Sequence, residues 1–389
     1  MTANRVLFCA TVDTHLQAFH LPALAWFKRQ GWEVHAAANG RTDLPHVDRR
    51  FVLPFGRSPL HRGNLEAYRQ LRAIVEEHAY RLVHCHTPVG GALARLAARS
   101  ARRRGTAVLY TAHGFHFCRG APLASWLLYY PAEKLLSRLT DALITINEED
   151  YRLAVARRFR AGRIVRVHGV GVDTGRFRPM SRLEKIRQRG LFHYGMDDFL
   201  LFYAAEFNRN KNHRLLIEAM SLLKSRLPGA RLLLAGDGPL LRQCREQAAL
   251  AGVGGSIEFL GYRTDIDRLL PMCDAAVSSS LREGLPVNIL EAMACGLPVA
   301  ATRNRGHAEL VAEGRNGFLT PPDSAEELAE RIVRLSQSSE LRERMGFESI
   351  QAVKAYSQAR VGEELAELYA SYRNGDEYGA ERQYRAADL

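Results

Sequence analysis

Long apolar runs are missing from this 389-residue chain. Even the stretch 123–132 is interrupted by Ser125, Tyr129 and Tyr130, so no segment has the length of a bilayer span. Cysteine is sparse. Six residues, at 9, 85, 118, 244, 273 and 295, are scattered without a CxxC pair or any metal-like spacing, which excludes a disulfide framework and a thiolate metal site. Cys9, Cys85 and Cys295 lie in apolar segments and read as small buried hydrophobes, as expected of a protein kept in a reducing cytoplasm. The N-terminus offers no signal peptide, because a short polar start meets an apolar patch of only five residues, Val6 to Ala10. Short repeats and low-complexity linkers are absent too.

Acidic residues fall short of basic ones, 42 against 54, which leaves a net charge of +12. Arginine supplies most of the excess, with one cluster at Arg99, Arg102, Arg103 and Arg104 and another at Arg157, Arg158, Arg160 and Arg163. Such charge attracts phosphates in any form. Aromatics do not interleave with these clusters and no nucleic-acid module is present, so nucleic acid is excluded as a partner. Each cluster alone reads as a solvated helix face; the overall excess points to an anionic membrane surface.

What is present is a steady alternation of strand-like and helical segments. The first half carries strand-like runs at 6–11, 33–38, 82–86, 107–111, 142–146 and 164–167, with helical periodicity at 65–78, 92–102 and 126–139. The second half repeats the scheme, with strands at 199–205, 231–235, 257–260, 275–279 and 299–302 and helices such as 213–223 and 240–249. That rhythm predicts an α/β protein made of two doubly wound, Rossmann-like domains. The glycine-rich segment 169–179, closed by Pro179, marks the boundary, giving domains at 1–172 and 173–360. Helices are predicted at 340–355 and 361–372, followed by a polar tail over 374–389.

The densest signal is Glu283-Gly284-Leu285-Pro286-Val287-Asn288-Ile289-Leu290-Glu291. Gly284 frees the backbone for a turn, and Pro286 suits the first turn of a helix. Val287, Ile289, Leu290 and Met293 continue that helix until Gly296 and Pro298 stop it. Glu283 is then on the loop and Glu291 about two turns inside, with the open N–H groups of the helix start between them, a natural seat for a diphosphate. The separation of roughly 10–12 Å along the axis suits the ribose and the sugar of a nucleotide-diphosphate sugar.

This motif, with Ala292-Met293-Ala294-Cys295-Gly296-Leu297-Pro298-Val299-Ala300 after it and Gly306, Glu309 and Asn316-Gly317-Phe318-Leu319 beyond, resembles the donor site of retaining glycosyltransferases of the GT-B fold, family 4. Tyr110-Thr111-Ala112-His113-Gly114-Phe115-His116-Phe117, 144–151 and His168-Gly169-Val170-Gly171-Val172-Asp173 resemble its exopolysaccharide and capsule subgroup. The resemblance implies two domains facing an interdomain cleft, the last helix crossing back onto the first domain, and metal-independent transfer with no cofactor beyond the nucleotide-sugar co-substrate. It implies donor contacts from Lys211 to the diphosphate, Glu291 to the ribose hydroxyls and Glu283 to the transferred sugar, with Gly284, Leu285 and Pro286 between. Gly238, Tyr262 and Arg263 would border the nucleotide. Where the family usually has an arginine, this chain has Glu206, and Arg209 is the candidate replacement. His113 matches the family's active-site histidine; Asp13, His15 and His116 are acceptor candidates. Asp265-Ile266-Asp267 imitates a metal motif but reads as acids opening a helix.

The implied reaction moves a hexose or N-acetylhexosamine, from a UDP-sugar in the first instance, to a polyprenyl-diphosphate-linked saccharide at the cytoplasmic face of the plasma membrane. The segment Trp126-Leu127-Leu128-Tyr129-Tyr130, with Lys134 and Arg138, could be its membrane face, although its leucines read equally as core. Three other readings stay open: a transferase with a soluble acceptor, a GT-B epimerase of UDP-N-acetylhexosamine, and a non-catalytic nucleotide-sugar-binding scaffold.

Overall fold

The computed structural model describes residues 4–118 and 120–372; the tail expected over 374–389 lies outside them. Two compact units emerge. One runs up to Gly171 and resumes at Gln358, and the other spans Val172–Ser357.

The first unit holds seven parallel strands: β1 (Arg5–Val12), β2 (Glu33–Asn39), β3 (Arg49–Val52), β4 (Leu82–His86), β5 (Ala107–Ala112), β6 (Ala142–Thr145) and β7 (Arg163–Arg166), in the order β3-β2-β1-β4-β5-β6-β7. The inner strands β4, β5 and β6 are buried along their whole length, as strands covered on both faces are. Alternate residues of β1 enter opposite layers: Leu7 and Cys9 join one core, Val6, Phe8 and Ala10 the other. The order reverses beside β1, and at such a switch point the C-terminal strand ends leave a crevice for ligands.

The second unit repeats the plan with six strands: β8 (Phe199–Ala204), β9 (Ala230–Ala235), β10 (Ile257–Gly261), β11 (Ala275–Ser278), β12 (Val299–Thr302) and β13 (Gly317–Thr320), in the order β10-β9-β8-β11-β12-β13. Its core joins Leu201, Tyr203 and Leu232 of the sheet to Leu216, Met220, Leu328 and Ile332 of the helices above it.

Three local features depart from the sequence reading. β3 and β13 are not among the predicted strands; each is a four-residue strand at an edge of its sheet. The helix predicted over 92–102 is two, Pro88–Ala97 and Arg99–Arg103, parted at Ala98. The helix over 126–139 starts earlier, at Leu123, runs through Pro131 to Leu136 and tightens into a 3₁₀ turn at Ser137–Leu139.

The last described helix, Gln358–Ala370, belongs to the first unit. Val361, Leu368 and Tyr369 are buried, the Tyr369 ring lies 4.7 Å from that of Phe27, and its hydroxyl meets His84 Nδ1 at 3.0 Å. Burial of each such side chain is worth about 1.5–3 kcal/mol, so Tyr369→Ala is the change that would loosen this helix most directly.

Candidate active site

In the second unit, the loop after β8 meets the loop after β11. Lys211 Nζ stands 2.5 Å from Glu283 Oε1, with both side chains largely withdrawn from solvent. The Lys211 carbonyl is clamped by two hydroxyls, Tyr203 donating at 3.2 Å and Ser279 at 2.8 Å. Glu283 is held by its backbone, whose carbonyl accepts from Arg305 Nε at 3.0 Å. Gly306 lets the two segments close up: a Cβ there would come within 2.7 Å of Glu283 Cβ and 3.0 Å of Pro286 Cδ.

The helix Val287–Ala294 begins beside this pair, with Pro286 as its N-cap and Asn288 Oδ1 accepting from the Ile289 N–H at 3.0 Å. An oxyanion approaching there meets the positive end of the helix dipole. Leu285 is buried beneath the turn. Glu291 is the fifth residue of this helix, about 6 Å along the axis at 1.5 Å per residue, so it sits one turn inside and not two. Burial pushes the Glu291 carboxyl up to about 7, Arg176 pulling it down and Asp267 pushing it further up. Arg176 is itself fixed, donating to Asp267 Oδ1 at 2.7 Å and to the Thr264 carbonyl at 2.9 Å. Sequence reasoning missed Arg176; a single arginine in a boundary segment carries no pattern to find.

A cavity of about 370 Å³ opens nearby, lined by Glu206, Gly236, Asp237, Tyr262, Arg263 and Ile266 among others. Gly238 turns at φ +150, where a Cβ would strike the Phe207 backbone at 2.7 Å. Tyr262 is 81% exposed, leaving a ring face open beside the cavity. Arg263 is committed to Asp265, through Nε at 2.8 Å and Nη2 at 2.6 Å. That pair also accounts for Asp265, while Asp267 serves Arg176. Glu206 is exposed and accepts from Asn208 at 3.0 Å; Arg209 is exposed and makes no ion pair among the described residues.

In the first unit, His113 follows the end of β5 and is half-buried. Its Nε2 faces His15 Nε2 at 3.2 Å and His86 Nδ1 at 3.4 Å. His20 stacks on His86 with ring centroids 3.7 Å apart. Burial lowers the basicity of all four rings, His15 to about 4. The sequence has no metal-like spacing and gave no warning of this group. Only the fold brings the ends of β1, β4 and β5 together. Two acceptor candidates lie elsewhere. The Asp13 carboxylate is buried and braced, accepting from Arg50 and from Thr42 N at 2.6 Å each, and His116 packs on the Tyr129 ring at 4.6 Å.

The helix Leu123–Leu136 sets most of its leucines outside the core. Leu123, Leu127, Leu128 and Leu135 are exposed, whereas Trp126, Tyr129 and Tyr130 pack against the core. Glu133 is buried in a pair with Arg95 at 2.9 Å, whose guanidinium lies over the Tyr110 ring. Among the described residues no helix is long and apolar enough to cross a membrane. The arginine cluster near 102 is partly neutralised, Arg102 by Asp141 and Arg104 by Glu76.

Residues 187–351 match the family described as glycosyl transferases group 1, and residues 21–169 the glycosyl transferase 4-like domain. A Bacillus subtilis protein named "Putative glycosyltransferase EpsD" is 50% identical over 96% of this chain and 98% of the relative. The chain belongs to the GT-B glycosyltransferases of family 4. The transferase is also 26% identical, over 70% of each chain, to the Escherichia coli UDP-Gal:alpha-D-GlcNAc-diphosphoundecaprenol alpha-1,3-galactosyltransferase. Its fold matches that of HepE from Anabaena, solved with UDP-glucose, at a TM-score of 0.78, with 21% identity over 94% of the transferase and 99% of HepE.

Proposed function

We propose that this transferase moves a hexosyl or N-acetylhexosaminyl unit from a UDP-sugar to a polyprenyl-diphosphate-linked saccharide, with retention at the anomeric carbon, in the synthesis of a bacterial surface polysaccharide. The observation that carries the reading is the Lys211–Glu283 pair at the start of a helix with Glu291 one turn inside. The lysine and the helix N–H groups suit a diphosphate, Glu283 the sugar hydroxyls and Glu291 the ribose diol. The name of the E. coli relative supplies the lipid-linked acceptor class and an α product.

In this mechanism the acceptor hydroxyl attacks the anomeric carbon from the face that the UDP leaves. The bond from that carbon to the diphosphate oxygen breaks as the new glycosidic bond forms, and the acceptor proton passes to the departing diphosphate. Lys211 and Arg209 offset the charge growing there, a protein-cation role that calls for no metal at the diphosphate. His113 orients the sugar, and positioning supplies the rest of the acceleration.

The acceptor lipid requires a membrane surface, and the exposed leucines of Leu123–Leu136 fit the inner face of the plasma membrane, with the net positive charge favouring anionic lipid. One observation keeps a second reading in view. Glu206 on the cavity wall repels phosphate where relatives place an arginine, as it could in a nucleotide-sugar-binding subunit without turnover.

A thermal-shift screen against UDP-, GDP-, dTDP- and ADP-sugars tests the donor assignment. Stabilisation by UDP-sugars that is lost in Glu291→Ala is expected; no shift with any donor would overturn it.

A further inference from the structure

The four histidines of the first unit do more than line a crevice. One ring nitrogen from each of His15, His20, His86 and His113 lies within 4.8 Å of the others. They come from separate places: His15 from the short helix Asp13–Phe19, His20 from its C-terminal cap, His86 from the end of β4 and His113 from the turn after β5.

Hydrogen bonding within the group does not satisfy it. His113 Nε2 offers one proton or one lone pair, yet it faces ring nitrogens of both His15 and His86. The Nε2 atoms of His20 and His86 are buried without a hydrogen-bond partner among the described residues. A buried, unpartnered nitrogen is costly, and for His20 a ligand held within the group would supply the partner. A neighbouring histidine, His84, shows the contrast: Thr111 and Tyr369 occupy both of its ring nitrogens.

The chemistry of the group identifies that ligand. Burial and mutual repulsion keep the rings neutral, the form that coordinates metals. The set is all imidazole, which suits borderline divalent transition ions and not Mg²⁺ or Ca²⁺, which take oxygen. With Zn–N bonds of 2.0–2.1 Å, ligand nitrogens of a tetrahedron lie about 3.3–3.4 Å apart. The contacts at 3.2 and 3.4 Å are already at that spacing. Entry is open too, since His15 and His113 are half-exposed and a cavity of about 340 Å³ reaches both His20 and His113.

We propose that His15, His20, His86 and His113 form a binding site for one transition-metal dication of the Zn²⁺ class. All four ligands belong to the first unit, whereas Lys211 and Glu283 belong to the second. Where the reading of His113 as a sugar-orienting residue holds, the ion takes that nitrogen away and acts as a reversible inhibitor.

The test is a Co²⁺ titration of tag-free, EDTA-treated protein, which reads binding without any need for turnover. One equivalent is expected to give the intense visible d–d absorption of tetrahedral Co²⁺, erased by Zn²⁺. His15→Ala and His86→Ala are each expected to weaken Co²⁺ binding at least tenfold while the protein stays folded by circular dichroism. Should the buried His86 variant fail to fold, the half-exposed His15 variant decides. Absence of the absorption, or absorption and affinity unchanged in the folded variants, would overturn the proposal.

Discussion

Lys211 Nζ lies 2.5 Å from Glu283 Oε1, joining loops 72 residues apart in sequence. In the proposed reaction the pair holds a cation beside a helix start, and the carboxylate would keep that cation aimed until a diphosphate arrives. Lys211→Ala is expected to lower kcat by about 10²–10³-fold, as loss of one charge-stabilising donor does, with a smaller change in KM. Steady-state kinetics with a UDP-sugar check it; an equal loss in KM alone would assign Lys211 to ground-state binding.

Glu291 gives a pH signature. In the unfolded chain its carboxyl titrates near the ordinary value of about 4.3, and in the folded chain near 7. The folded state therefore binds the extra proton between those values. Its stabilising share is complete below about pH 4 and is lost as pH rises through 7. Glutamine is neutral throughout, so Glu291→Gln should raise the Tm of the ligand-free protein at pH 8 and leave it unchanged at pH 4. The same variant should lose the stabilisation given by UDP-sugar, since the amide replaces a two-oxygen acceptor for the ribose diol. Differential scanning fluorimetry at both pH values, with and without donor, reads both effects.

Gly306 packs directly against the 283–286 turn. A methyl there meets Glu283 Cβ at 2.7 Å, so Gly306→Ala has to shift that turn. The expected cost is about 1–3 kcal/mol in transition-state stabilisation or in folding. Comparing kcat/KM with urea unfolding separates the two, and a displaced catalytic loop predicts that kcat/KM falls further than stability does.

Leu127 and Leu128 stand out to solvent on the helix Leu123–Leu136, at 71% and 57% exposure. Replacing both with glutamate removes apolar anchors and adds charge that anionic lipid repels, without touching the core. Flotation with vesicles rich in phosphatidylglycerol should recover the parent protein at low salt, less of it at high salt, and little of the double variant. Equal recovery of the two proteins would detach this helix from membrane binding.

The sequence carried most of the architecture because parallel strands covered on both faces read as unbroken apolar runs, as in β1 and β8. It carried the loop and helix around Glu283, Pro286 and Glu291 because these residues are neighbours in the chain, where spacing is visible. It was silent on partners brought in from a distance. Arg176 reaches the Thr264–Asp267 segment from 88 residues earlier, and only the fold does that. The histidine group is the clearest case, drawn from positions 15, 20, 86 and 113 with nothing in their spacing to link them. The leucines of Leu123–Leu136 stood open between core and surface for another reason. Aromatic and aliphatic residues share that helix, and periodicity alone did not tell which stripe faces the core.

The most direct test of the account is incubation of the purified transferase with radiolabelled UDP-hexoses or UDP-N-acetylhexosamines and undecaprenyl-diphosphate-linked N-acetylglucosamine, with the anomeric configuration of the lipid product read by NMR. The account predicts a labelled lipid with an α linkage, formed from one UDP-sugar and lost in Lys211→Ala. A β linkage, or tight UDP-sugar binding with neither transfer nor hydrolysis, would contradict it.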